Sequence, residues 1–212
     1  KVFHSLENLI EVTMTARYTL SKNGVAFLQL VNPPVNAMGL VVRKAMFEGM
    51  ERAEIDGASA LVLHGANGLF TAGADITEFL KGSHVQNPHL HDLMDKIESM
   101  KSPMITLMQG TTLGGGMELA LTTHWRVATP ECRMGLPEVH LGLLPGAGGT
   151  QRLPRVIGNA SAAFEIMATG RHVAAKEALS LGIIDEMLAT GDENELEQFA
   201  LSDRVQNTPL EN

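Results

Sequence analysis

The sequence predicts an α/β protein with parallel strands, and three observations predict it. Apolar runs of strand length alternate with stretches whose apolar residues recur at helical spacing. Glycine- and proline-bearing loops separate them. The 212 residues, 44% hydrophobic and 19% charged, are enough for one sizeable core.

In chain order, residues 25–31 read as a strand, followed by the turn Asn32-Pro33-Pro34. Residues 40–55 have the spacing of an amphipathic helix, and 60–64 form a second buried strand. A glycine-rich loop, 65–75, leads into the polar stretch 81–91, which is expected to be a mobile surface segment. A helix over 92–100 ends at Lys101-Ser102-Pro103, and 104–108 is the next strand. Gly114-Gly115-Gly116 opens a helix through Leu121, and 124–128 is another strand. Beyond Pro154, helices are expected over 160–168 and 175–181, with 183–188 as the one strong strand candidate after Ala128. The acidic residues after Thr190 read as frayed or as a linker. Neither an internal repeat nor a low-complexity tract is present.

Composition removes several classes of function. A formal net charge of −8 leaves no basic footprint, which argues against nucleic acid or an anionic membrane surface as main partner. A local basic pocket for an anionic ligand stays open. Cys132 is the single cysteine, so no internal disulfide forms, and a small buried thiol is the expected state. No apolar run approaches the roughly 20 residues of a membrane-spanning helix, so a soluble protein is expected. The first fifteen residues resemble neither a secretory signal nor a transit sequence, and Pro209-Leu210-Glu211-Asn212 carries no recognisable address.

Two glutamates carry the most chemistry. Glu118 follows the glycine run, and Glu138 follows Pro137 within Gly135-Leu136-Pro137-Glu138-Val139-His140-Leu141. Two carboxylates held at one place can divide acid and base roles, because like charges push one proton affinity upward. Adding or removing water across an activated double bond needs that division. Among Leu136, Val139, Leu141 and Leu143 the Glu138 carboxyl is expected to be partly desolvated, which suits an acid; pairing with an arginine is the alternative.

The glycines before Glu118 allow a ligand to approach free N–H groups at a helix start, or simply let a helix pack tightly. No Gly-Lys-Ser/Thr follows, which excludes a P-loop. Ala72-Gly73-Ala74-Asp75 offers further backbone N–H groups for an oxyanion hole, or a turn with Asp75 near a helix start. Pro145-Gly146-Ala147-Gly148-Gly149-Thr150 lacks the strand and spacing of a dinucleotide fingerprint. His84, His89 and His91 match no zinc pattern and read as loop histidines. His140 lies two residues from Glu138 and is a candidate to influence it. Arg152 and Arg155 are candidates for an anionic ligand or a neighbouring subunit, with a surface ion pair as the default.

Taken together, Asn32-Pro33-Pro34-Val35-Asn36-Ala37, Ala72-Gly73-Ala74-Asp75-Ile76, residues 114–121 and residues 136–155 resemble the enoyl-CoA hydratase (crotonase) superfamily. Their order and separation match it over about residues 25–188, and the hydratase core of peroxisomal-type multifunctional β-oxidation enzymes looks most similar. The resemblance implies a crotonase-like ββα spiral core with C-terminal helices. It places an N-terminal extension at 1–15, the hydratase domain at 16–190, and a C-terminal helix or linker segment at 191–212. It implies an acyl-CoA thioester as substrate, no metal or redox cofactor, and assembly as a homotrimer or hexamer, or within a longer multifunctional chain.

Carried onto these residues, the resemblance implies that the Ala74 and Gly115 N–H groups hold the thioester oxygen. Glu118 then acts as base toward a water, protonated Glu138 delivers a proton to Cα, and the Gly146 N–H helps to hold that water. Ala72, Gly73, Asp75, Ile76, Gly114 and Pro137 would line the substrate.

The implied reaction is hydration of trans-2-enoyl-CoA to 3-hydroxyacyl-CoA. The alternatives are Δ3,Δ2-enoyl-CoA isomerisation, or a non-catalytic homologue binding acyl-CoA or RNA. Thr111-Thr112 departs from the family's small apolar residues beside the oxyanion hole. The start at Lys1 and the early stop imply a domain of a longer enzyme whose later part is a 3-hydroxyacyl-CoA dehydrogenase. The implied compartment is the cytoplasm in a bacterium, the peroxisome or mitochondrion in a eukaryote. Acyl chain length depends on packing around residues 81–100.

Overall fold

Residues 25–28, Val-Ala-Phe-Leu, contain no polar side chain, so a strand there must be covered on both faces. The computed structural model, which describes residues 10–13, 15–78, 82 and 85–210, covers it so. The strands are β1 (Ile10–Thr13), β2 (Ala16–Leu20), β3 (Val25–Leu30), β4 (Ala60–Gly65) and β5 (Met104–Met108). They continue with β6 (Thr111–Leu113), β7 (Trp125–Ala128), β8 (Arg133–Gly135), β9 (Val173–Ala174) and β10 (Glu186–Met187). Helices α1 (Leu40–Ile55), α2 (Leu90–Glu98), α3 (Gly115–Ala120) and α4 (Gly149–Ile157) surround the site described below. They are followed by α5 (Ala160–Thr169), α6 (Ala175–Ser180), α7 (Glu193–Ala200) and α8 (Asp203–Asn207).

One sheet has the order β1-β2-β3-β4-β5-β7-β10; β1, β2 and β3 pair antiparallel and the rest parallel. A smaller sheet, β6-β8-β9, pairs β6 with β8 in parallel. Between the two sheets the chain repeats one path: a strand of the large sheet, a short pairing segment, then a helix. The path β5, β6, α3 is followed by β7 and β8, and the earlier turns place Met38 before α1 and Ala74 before α2, joined by a single parallel bridge. This is the ββα spiral. The repeat is geometric, carried by segments as short as one residue, which is why no sequence repeat accompanies it.

Alternation along the parallel strands divides the interior. Leu28, Leu61, Leu63, Met104 and Met108 face the main core with α1 through α6. Phe27, Val62, Ile105, Leu107 and Val127 face a second cluster completed by Leu196, Phe199 and Val205 of α7 and α8. The acidic C-terminal stretch is therefore helical rather than frayed: Leu196, Phe199 and Ala200 form an apolar stripe at helical spacing, and Asp192 caps α7 by accepting from the Glu195 N–H. On the main-core side α1 lies close on β3, since a Cβ on Gly49 would sit 2.5 Å from Leu28 Cδ1.

Other expectations move. Strands β2, β6, β8 and β9 are too short or too polar to be read from their residues, and β10 is only two residues long. The helices expected over 160–168 and 175–181 are α5 and α6, and a further helix that was not expected, α4, forms around Pro154, anchored by fully buried Leu153. Helix α2 begins at Leu90, two residues early, because Asp92 accepts from the His89 N–H and closes a capping box. Residues 1–9, 14, 79–81, 83, 84, 211 and 212 lie outside the described residues, and with them His84, residues 81 and 83 of the predicted mobile segment and most of the N-terminal extension.

Candidate active site

A backbone that only glycine adopts comfortably sets the first half of the site. Gly73 has φ +105° and Gly114 φ +53°, both in the left-handed region. A Cβ on Gly73 would lie 2.6 Å from the Leu113 carbonyl oxygen and 3.2 Å from the Gly115 nitrogen, so the loop before α2 touches the start of α3. From the other side, a Cβ on Gly115 would lie 3.4 Å from the Ala74 nitrogen. This contact sets the Ala74 and Gly115 N–H groups side by side, and among the described residues neither has an acceptor. Thr71 holds the loop, accepting from the Gly73 N–H at 3.0 Å and donating to the Asn36 carbonyl at 2.7 Å.

Glu118, on the buried α3, is 3% exposed. Its Oε1 accepts from the Ala147 and Gly149 N–H groups, both at 2.8 Å. Burial raises its proton affinity; those two N–H groups, with His91 and Arg152 nearby, act in the opposite direction without cancelling it. Glu138 stands in the 3₁₀ turn Pro137–Leu141. Burial pushes its carboxyl up to about 7, with the Glu118 charge adding to the effect. Its Oε2 is buried without a hydrogen-bond partner among the described residues, and its Oε1 lies 3.2 Å from where a Cβ on Gly114 would be. The Gly114 N–H donates to the Gly135 carbonyl at 2.9 Å, tying the Glu118 helix to the strand that leads into Glu138. The twenty-residue separation thus closes into one electrostatically coupled pair. Glu118 is the carboxyl held by two backbone N–H groups, and Glu138 holds or releases its proton near pH 7.

The remaining sequence candidates divide. Ala72 and Gly73 shape the loop that presents the Ala74 N–H: the Ala72 N–H donates to the Val35 carbonyl, and the Gly73 carbonyl accepts from the Met38 N–H. Asp75 Oδ1 accepts from the Thr77 N–H and hydroxyl, as a turn-capping residue does, and Ile76 is 65% exposed. Pro137 starts the 3₁₀ turn. Gly146 is exposed, and its N–H donates to no described residue. His140 does not serve Glu138: its Nε2 is 2.9 Å from the Thr169 carbonyl at the end of α5. Arginine pairing of Glu138 is absent among the described residues. Arg152 instead binds Glu98 and the Ala147 carbonyl, and Arg155 binds Gln151. His89 is engaged with Asp92 and the Val85 carbonyl. Thr112 is buried with its hydroxyl near Cys132 Sγ, and burial pushes that thiol up to about 12.

Three supports escaped the sequence reading. Ala147 and Gly149 hold Glu118 from the loop in which the sequence reading singled out Gly146 alone. Asn36, 2% exposed with φ +50°, accepts from the Asn32 N–H and donates to the Ala66 and Leu69 carbonyls, fastening the Asn-Pro-Pro turn. Arg43 and Glu78 form a buried ion pair at 2.7 Å, and Glu78 Oε1 also accepts from the Leu40 N–H at the start of α1. The asparagine after Val35 was a visible signal; the ion pair, thirty-five residues apart in sequence, had none.

The sequence profile of the enoyl-CoA hydratase/isomerase family matches residues 21–209. The chain is 51% identical over 173 residues to the peroxisomal bifunctional enzyme of Danio rerio, covering 81% of this chain and 24% of that protein. It is 42% identical over 166 residues to a probable enoyl-CoA hydratase of Bacillus subtilis (strain 168), covering 76% and 64%. The crystal structure of enoyl-CoA hydratase from Thermoplasma volcanium GSS1 superposes with a TM-score of 0.82 at 26% identity, covering 93% of this chain and 79% of that one. The chain spans about a quarter of the length of its bifunctional relatives.

Proposed function

The chain belongs to the enoyl-CoA hydratase/isomerase family, and on that premise we propose that it adds water to trans-2-enoyl-CoA to give 3-hydroxyacyl-CoA in fatty acid β-oxidation. The observation that carries the proposal is the coupled pair Glu118 and Glu138 beside two N–H groups without an acceptor among the described residues. The Ala74 and Gly115 N–H groups donate to the thioester oxygen and stabilise the negative charge that develops on it as water adds. Glu118 takes a proton from the water, whose oxygen bonds to Cβ, and Glu138 gives its proton to Cα. The exposed Gly146 N–H is available to orient the water.

Ala72, Gly73, Asp75, Ile76, Gly114 and Pro137 form the surrounding wall. The step consumes water and a double bond and changes no oxidation state overall, so it calls for no redox cofactor, and the two N–H groups supply the carbonyl polarisation for which a Lewis-acid metal would otherwise serve. Glu138 alone, holding or releasing a proton near pH 7, also suits transfer of a proton between two carbons, which favours a second reading, Δ3,Δ2-enoyl-CoA isomerisation. Exposed Leu141, Leu143 and Leu144 beside the Glu138 turn support burial of that edge in a homotrimer, a hexamer or a longer multifunctional chain.

The test is the rate on 2-enoyl and 3-enoyl thioesters. Hydration of the 2-enoyl substrate at enzymic rates is expected; 3-enoyl turnover alone would replace the hydratase reading with the isomerase one.

A further inference from the structure

One buried guanidinium reaches three separate segments around the Ala74 and Gly115 N–H groups. Arg43, near the start of α1 and 4% exposed, donates through Nη1 to the Met38 carbonyl at 3.0 Å and to Glu78 Oε2 at 2.7 Å. Its Nε donates to the Pro88 carbonyl at 2.8 Å, and Nη2 reaches the Gln86 carbonyl at 3.5 Å. Met38 bridges to Ala74, and its Cε lies 3.6 Å from where a Cβ on Gly115 would sit. Glu78 follows Ala74 by one turn: its N–H donates to the Asp75 carbonyl, and its Oε1 accepts from the Leu40 N–H at 2.6 Å. Pro88 leads into α2, whose first residue, Leu90, places Cδ2 3.0 Å from that same point on Gly115. The packing between these segments is tight, since a Cβ on Gly39 would lie 3.2 Å from Glu78 Oε1 and 3.3 Å from Asp75 Oδ2.

We infer that Arg43, oriented by Glu78, is a positioning residue for the oxyanion hole, setting the Ala74 N–H through Met38 and Glu78 and the Gly115 N–H through Met38 and Leu90. The inference deepens the hydratase reading and rests on it for its kinetic consequence. A buried ion pair is a poor source of stability, because an apolar pair of similar volume often does as well. What the pair supplies beyond packing is direction. A planar guanidinium donates along fixed directions, and here its acceptors lie before α1, after Ala74 and before α2. Glu78 neutralises it and, by accepting from the Leu40 N–H, ties the segment after Ala74 to the helix that carries Arg43. Lysine at this position would keep the charge and lose the fork, so it could not hold the same acceptors in the same geometry.

The test compares the whole protein with Arg43→Lys and with the double variant Arg43→Met/Glu78→Leu, in which neither charge is left buried alone. Arg52→Met, which removes an ion pair with Asp56 at the far end of α1, is the control for a destabilised helix. In the free protein the Ala74 and Gly115 amide signals are followed by 1H–15N NMR, a readout that needs no turnover. Both signals should move in Arg43→Lys and in the double variant, and stay in place in Arg52→Met. In hydration of a 2-enoyl thioester, Arg43→Lys should lower kcat about tenfold and leave KM within about twofold, because the hole acts on the transition state more than on binding. Unmoved amide signals in Arg43→Lys and the double variant, equal movement in Arg52→Met, or a rise in KM at unchanged kcat overturns the inference. A wild type that hydrates no enoyl thioester would remove the hydratase reading alone, and the amide signals would still decide whether Arg43 sets the two N–H groups.

Discussion

Replacing Glu138 with Gln should cost activity and add stability, in a pH-dependent way. The carboxyl has a native proton affinity near pH 7 against an ordinary value of 4.5. Between those values the native state binds more protons than the unfolded chain, so the glutamate lowers stability as pH rises from about 4.5 to about 7, and the cost is complete above that. At 1.36 kcal/mol per pH unit the ceiling is about 3 kcal/mol; because the side chain is only half-buried, screening reduces it to about 1–2 kcal/mol. Glutamine never ionises. Urea unfolding at pH 8 should therefore find Glu138→Gln more stable than wild type by about 1–2 kcal/mol, with little difference at pH 4. Hydration of a 2-enoyl thioester, followed by loss of the conjugated absorbance, should fall about 100-fold or more in the same variant. A variant that is less stable at pH 8, or equally active, would refute the account of a desolvated acid.

Other consequences follow from single residues. The rate of hydration should decline above about pH 7 as Glu138 loses its proton, seen as an alkaline limb in kcat/KM that Glu138→Gln lacks. Asn36→Ala leaves the Ala66 and Leu69 carbonyls and the Asn32 N–H without that partner, and should cost about 2–3 kcal/mol in urea unfolding. Arg43→Met removes the buried ion pair with Glu78 together with the Arg43 hydrogen bonds to the Met38 and Pro88 carbonyls, and should destabilise by about 3–5 kcal/mol, read as a drop in thermal midpoint.

Much of the architecture was legible wherever one element dictates its own pattern. The run at 25–31, the helix at 40–55 and the strand at 104–108 are set by continuous or helical apolar spacing, and the structure keeps them within a residue or so. The small sheet was not, because β8 has Arg133 exposed and only three residues, and its pairing with β6 comes from the spiral path rather than from its side chains. Acidic residues around Leu196 and Phe199 masked an ordinary amphipathic stripe. In the candidate site, the types and local setting of Glu118 and Glu138 were visible. Their convergence depends on the Gly114 to Gly135 hydrogen bond and on N–H donors 29 and 31 residues beyond Glu118, contacts that exist only once the chain has folded. His140 shows the reverse error: proximity in sequence to Glu138 did not become proximity in function, because the 3₁₀ turn points it at α5.

The central claim is that two carboxyls in one site divide the base and acid roles. It is tested most directly by kcat/KM for 2-enoyl-thioester hydration in Glu118→Gln, Glu138→Gln and the double variant. Each single change should lose about 100-fold or more, and the double variant should fall only slightly below the slower single one, since the two act as a unit. Near-wild-type hydration in both single variants would contradict it.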